Sequence, residues 1–340
     1  MTDLATPLWY GYPPRPWPPL EWPNGTGGEP TRTYQRMLRV RSYRGWKPLV
    51  GLLLFVVSYL IVLVVVVIGP GVVALALGVS EQSLNDQGSP LVFLLGNLSL
   101  AALIPCAILA FWVVHRIRPG FLASVAGRIR WKWLLLCSAI ACVVVIVGLG
   151  ISFFLPTDPA DQTADVGPAP AATFVALAMV IVLTTPLQAA GEEYAFRGYL
   201  TQIVGAWVRW PVVPIVLTSL LFAFAHGAQN LPLYLDRFAF GLVAGFLVWR
   251  TGGLEASIAL HTFNNLVVLL IGASFADFGE QLSSTQAPWS ILVFDGVQLL
   301  VYVVIIEFVR RSWVRRGALT LHTRQGFRAV DGVATGVPRS

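Results

Sequence analysis

Long apolar blocks separated by short polar stretches run through most of this chain. A helix rises 1.5 Å per residue and needs about 20 apolar residues to cross a bilayer's hydrocarbon core. By that measure, eight blocks predict membrane spans, at about 48–79, 91–114, 131–155, 171–190, 212–225, 238–249, 254–271 and 291–308. The first is long for one straight span and is interrupted at Gly69, Pro70 and Gly71; the sixth is short. The expected fold class is all-α, a polytopic transmembrane helix bundle occupying residues 46–312. Residues 1–45 are rich in proline, tryptophan and arginine, and proline at that density prevents a helix and favours extended backbone. They are expected to form a tail without fixed structure, and the polar residues 313–340 a second tail.

Composition supports the membrane class. The chain has 340 residues, of which 56% are hydrophobic and 12% charged, against about 25% charged in soluble domains. The net charge is +6. In a soluble protein this would suggest nucleic acid, but here the basic residues sit beside apolar blocks, where they fix topology. No nucleic-acid partner is expected.

Arg36, Arg39, Arg41, Arg44 and Lys47 precede the first block. Arg116, Arg118, Arg128, Arg130 and Lys132 separate the second from the third, and Arg310, Arg311, Arg315 and Arg316 follow the last. The segments 81–90, 156–170 and 273–289 contain no lysine or arginine. This alternation predicts that both termini are cytoplasmic. Arginine so outnumbers lysine (Lys47 and Lys132 are the only lysines) that a bacterial chain of the inner membrane is expected. Cys106, Cys137 and Cys142 lie in apolar blocks without zinc spacing and read as small core residues. Residues 1–46 show no apolar run of the secretion-signal kind.

Ionisable groups inside a bilayer are costly and mark function. Glu193 and Arg197 are four apart, so a helix sets them on one face as an ion pair. Glu192 is rotated by about 100° from Glu193 and cannot share Arg197 equally. Two carboxylates in different environments suit different roles in acid–base chemistry. Phe222 and His226 are again four apart, so the ring packs beside the imidazole. His261 and Asn265 repeat the spacing on another helix and can donate two hydrogen bonds to one oxyanion. Two of the four histidines in the chain belong to this set.

Together the three segments, Glu-Glu-x-x-x-Arg at 192–197, Phe-x-x-x-His at 222–226 and His-x-x-x-Asn at 261–265, resemble the CAAX protease and bacteriocin-processing family. Its members are integral membrane proteins related to the type II CAAX prenyl endopeptidases. The resemblance covers about 171–270. It implies an intramembrane endopeptidase in which Glu192 and His226 activate water. His261 and Asn265 would form the oxyanion hole, and Glu193, Arg197 and Phe222 would support the site. The implied substrate is a membrane-associated peptide or protein, with the lipid bilayer as surroundings. No cofactor is favoured; the alternative is zinc held by Glu192, His226 and His261. A non-catalytic immunity factor or membrane scaffold, and a proton-coupled transporter, are the competing functions.

One conflict follows from straight spans. If the fourth ends near Ala190 and the fifth starts near Trp210, Glu192 lies at the cytoplasmic end and His226 about 24 Å deeper. Pro186, Pro211 and Pro214 mark places where bending would have to close the gap. Asp295, in the last block, has no assigned role.

Overall fold

The computed structural model describes residues 33–40, 43–152 and 167–322. Among these, seven helices are long and apolar enough to cross a membrane. They are α1 (Lys47–Ala76), α2 (Pro90–His115), α3 (Trp131–Ile151), α4 (Ala171–Trp207), α6 (Leu231–Thr251), α7 (Glu255–Gly272) and α8 (Ser290–Arg315). Between α4 and α6 stands the shorter α5 (Val212–Ala225), of 14 residues. The described residues hold no strand, only two isolated bridges.

Two boundaries differ from expectation for one reason. The sixth block was expected at 238–249, but its helix starts seven residues earlier, at Leu231. The fourth was expected to end near Ala190, but α4 continues to Trp207. In both places charged residues lower the local hydropathy while being paired inside the fold. Asp236 meets Arg237 at 3.1 Å, and Glu193 meets Arg197 at 3.1 Å.

Six helices close a ring. α4 packs on α7, α7 on α3, α3 on α8, α8 on α6, α6 on α5, and α5 returns to the lower half of α4. α2 packs on the outer side of α4, and α1 on α2. At the α2–α4 crossing, Gly191 lies against the backbone of Leu100, and a Cβ there would collide with the Leu100 carbonyl oxygen. Asn97 adds a polar tie, donating to Thr184 Oγ1 at 2.8 Å. Gly191→Ala is therefore expected to cost about 1–3 kcal/mol by overpacking. Gly96→Ala, whose Cβ would meet nothing within 4 Å, should unfold like the parent. Unfolding of the purified protein in detergent checks both.

Part of the expected N-terminal tail belongs to the fold. Tyr34, Met37 and Leu38 are buried against the lower end of α4. Tyr34 Oη donates to the Leu122 carbonyl, and Arg39 Nε to the Ala206 carbonyl at 2.6 Å. The expected C-terminal tail likewise begins late: α8 runs to Arg315, Leu319 is buried, and the Thr320 carbonyl accepts from Arg130. The remainder of both expected tails, 1–32, 41–42 and 323–340, lies outside the described residues. Cys106 and Cys137 are buried free thiols and Cys142 is partly buried, consistent with core packing.

Candidate active site

α4 carries the first group of side chains. Its helical register changes to a π turn over Tyr194–Leu200, an irregularity common at functional sites. Gln188, Glu192, Glu193 and Arg197 are all buried, Glu193 and Arg197 completely. Glu193 Oε1 and Arg197 lie 3.1 Å apart, but no N–H of the guanidinium points at the carboxylate in hydrogen-bond geometry. The contact is a Coulombic pair. The guanidinium lies over the Phe222 ring at 4.0 Å, a cation–π contact that sets its plane.

α7 faces α4 and carries the second group. His261 Nδ1 donates to Glu193 Oε1 at 3.0 Å. Its Nε2 lies 3.4 Å from Glu192 Oε2, close but without a directed hydrogen bond. The imidazole thus stands between the two glutamates, one ring nitrogen toward each. One turn further on, Asn265 Nδ2 donates to Gln188 Oε1 at 3.2 Å. An amide nitrogen has two hydrogens, so one is held and its direction fixes the other.

The third group sits at the end of α5. His226 Nδ1 lies 2.8 Å from the Phe222 carbonyl oxygen. A carbonyl only accepts, so Nδ1 carries the proton and Nε2 keeps its lone pair. The Phe222 ring is the hub, 4.6 Å from the His226 ring, 6.0 Å from His261 and 5.8 Å from Phe240. Phe240 also packs on His261 at 5.0 Å. His226 is exposed while Glu192 and His261 are buried.

The depth conflict disappears with the true length of α4. Glu192 lies about 22 Å from the Trp207 end, and His226 about 21 Å from the Val212 end. A short loop joins those ends, so the two residues rise from it to the same level. No kink at Pro186 is needed for this; the correction comes from the uninterrupted helix.

The structure thus brings Glu192, Glu193, Arg197, Phe222, His226, His261 and Asn265 into one cluster. Among the described residues, no three His, Cys, Asp or Glu side chains form a metal-holding group. His261 Nδ1 is turned to Glu193 and His226 Nδ1 to a carbonyl, which leaves the Nε2 of each ring toward the site. Two further members were not anticipated. Gln188 is four residues before Glu192, a spacing visible in the sequence, but a single glutamine in an apolar run gave no reason to choose it. Phe240 had no sequence signal at all. Asp295, on α8, lies beside the carboxyl of Asp236 on α6.

Comparison with known proteins agrees with the motif resemblance. Residues 172–267 match the family model described as type II CAAX prenyl endopeptidase Rce1-like. The uncharacterized protein YyaK of Bacillus subtilis is 27% identical over 106 residues, covering 29% of this chain and 36% of that protein. The match thus spans little more than a third of that relative. An uncharacterized 24.3 kDa protein of Escherichia coli is 29% identical over 161 residues, 44% of this chain and 68% of that protein. No solved structure matches. With the seven apolar helices, the family match points to an integral membrane protein.

Proposed function

We propose that the chain is an intramembrane endopeptidase of the glutamate type, hydrolysing a peptide bond in a membrane-associated, CAAX-type lipidated or otherwise anchored substrate. The observation that carries this reading is the pairing of α4 with α7: a histidine between two buried glutamates, with an oriented asparagine one turn away.

Water is placed between Glu192 and His226. Glu192 takes one proton as the water oxygen attacks the carbonyl carbon, and His226 Nε2 accepts the other hydrogen and fixes the lone pair that attacks. The carbonyl oxygen becomes an oxyanion. The free hydrogen of Asn265 Nδ2 donates to it, and so does His261 Nε2 in the doubly protonated ring. As the C–N bond breaks, the proton held by Glu192 passes to the leaving amine. Glu193 holds His261 by Nδ1 and is balanced by Arg197, which Phe222 keeps flat. None of these steps requires a metal.

Loss of one oxyanion donor costs about 10²–10³-fold in kcat. Asn265→Ala is expected to show that loss with KM little changed, while Gln188→Leu, which frees the amide to rotate, gives a smaller one. The test is cleavage of lipidated and transmembrane-anchored peptides by purified protein in liposomes, with and without a zinc chelator. Chelator-resistant cleavage supports the mechanism. Cleavage lost on chelation and restored by zinc overturns it in favour of a metalloprotease.

A further inference from the structure

The bundle has a basic end and an acidic end. Lys47 opens α1 and Lys132 lies in the first turn of α3; Arg209, Arg250 and the Arg310–Arg316 cluster lie at the matching ends of α4, α6 and α8. At the other end, the segments 79–89 and 273–289 carry Glu81, Asp86, Asp277 and Glu280 and no lysine or arginine.

The catalytic cluster is closed toward the basic end. Beneath Glu193 lie Arg197, Tyr199, Gln202 and Leu254, all fully buried, with Tyr34 and Leu122 below them. Hydrogen bonds lock this floor. Gln202 Nε2 donates to the Phe121 carbonyl at 3.2 Å, Leu254 N to the Ala123 carbonyl at 2.9 Å, and Tyr34 Oη to the Leu122 carbonyl. The small cavity there, lined by Tyr34, Gln35, Thr201 and Trp249, has Arg197 as its wall, and Arg197 has no exposure to solvent.

On its other side the cluster ends at exposed chain, which includes His226. α5 has 14 residues and rises about 21 Å, short of the roughly 30 Å hydrocarbon thickness. The chain therefore turns within the membrane, and residues 225–228 in that turn are exposed beside His226. Irregular backbone at such depth is tolerated where it lines a water-filled cavity. Asn230 ties the turn to the acidic-end loop: its N–H donates to the Thr285 carbonyl at 2.8 Å and its Nδ2 to the Ala287 carbonyl at 2.8 Å.

We propose that the site is entered at the His226–Asn230 turn, from the end of the bundle whose loops 79–89 and 273–289 carry no lysine or arginine; Arg237, in the second turn of α6, is paired there with Asp236 at 3.1 Å. By the positive-inside rule that end is extracytoplasmic, so the substrate is a peptide anchored in the outer leaflet. A cytoplasmic lipidated protein would meet the closed floor. The substrate half rests on the protease reading; the sidedness does not.

The test uses the full chain in intact cells, with a membrane-impermeant maleimide. The parent, whose Cys106 and Cys137 are buried and Cys142 partly buried, sets the baseline. Ala228→Cys is expected to label before permeabilisation. Ala318→Cys, exposed at the basic end, is expected to label only afterwards. The reverse pattern overturns the proposal, as does an Ala228→Cys that stays unlabelled even after permeabilisation, since the turn would then be no entrance. In sealed vesicles of that orientation, anchored peptide in the leaflet exposing residue 228 should be cut and peptide in the opposite leaflet spared. Cleavage confined to the opposite leaflet overturns the substrate half. Labelling as predicted with no cleavage from either leaflet retains the sidedness and counts against the protease reading and the substrate half that rests on it.

Discussion

Glu192→Gln is expected to lower hydrolysis by about 10²–10⁴-fold, the range that a positioned general base contributes. The substitution keeps the shape and removes the proton acceptor. Glu192 is the carboxylate without a strong partner: Oε2 is buried, 3.4 Å from His261 Nε2, and makes no hydrogen bond. The fold does not depend on its charge, so the variant should unfold like the parent in detergent and lose kcat rather than binding. Single-turnover cleavage separates the two. A Glu192→Gln protein that retains activity within threefold would remove Glu192 from the mechanism and favour a non-catalytic role.

Arg197→Met should do the opposite, acting first on stability. Arg197 and Glu193 have no solvent exposure, and they face each other at 3.1 Å. Removing one partner of a buried pair leaves an uncompensated charge and costs about 3–5 kcal/mol. Glu193→Gln should cost a similar amount and also loosen His261, whose Nδ1 bonds to Glu193. The double variant Glu193→Gln with Arg197→Met should recover much of the stability, since no isolated charge is left, but not the activity. Unfolding of the three variants gives the coupling directly; additive losses in the double variant would mean the pair is not acting as one.

The sequence carried much of this site because helical spacing is simple. Each motif is an i, i+4 pair, and such pairs share a face whatever the rest of the helix does. That places Glu193 on Arg197, Phe222 by His226, and His261 with Asn265. The relation between the helices was not legible. Glu192, Glu193 and Arg197 looked like the end of a span because a hydropathy window counts charges, not pairs. In the fold they lie in the interior of α4, and the depth conflict with His226 came entirely from that misplaced end. Asp236 and Arg237 delayed the start of α6 in the same way. Gln188 gains a role only because α7 brings Asn265 to it, and Phe240 only because α6 passes the Phe222 ring. The buried stretch around Tyr34–Leu38 was hidden in a proline-rich segment, since three apolar residues among arginines make no periodic pattern.

The central claim is that water activated by Glu192 and His226 cuts a peptide bond at the centre of the helix ring. It is tested most directly by mass spectrometry of an anchored peptide incubated in H₂¹⁸O with the purified protein in liposomes. The account predicts fragments from wild type carrying ¹⁸O in the new carboxylate, and none from Glu192→Gln or His226→Gln. The same fragments formed at the wild-type rate by both variants would contradict it.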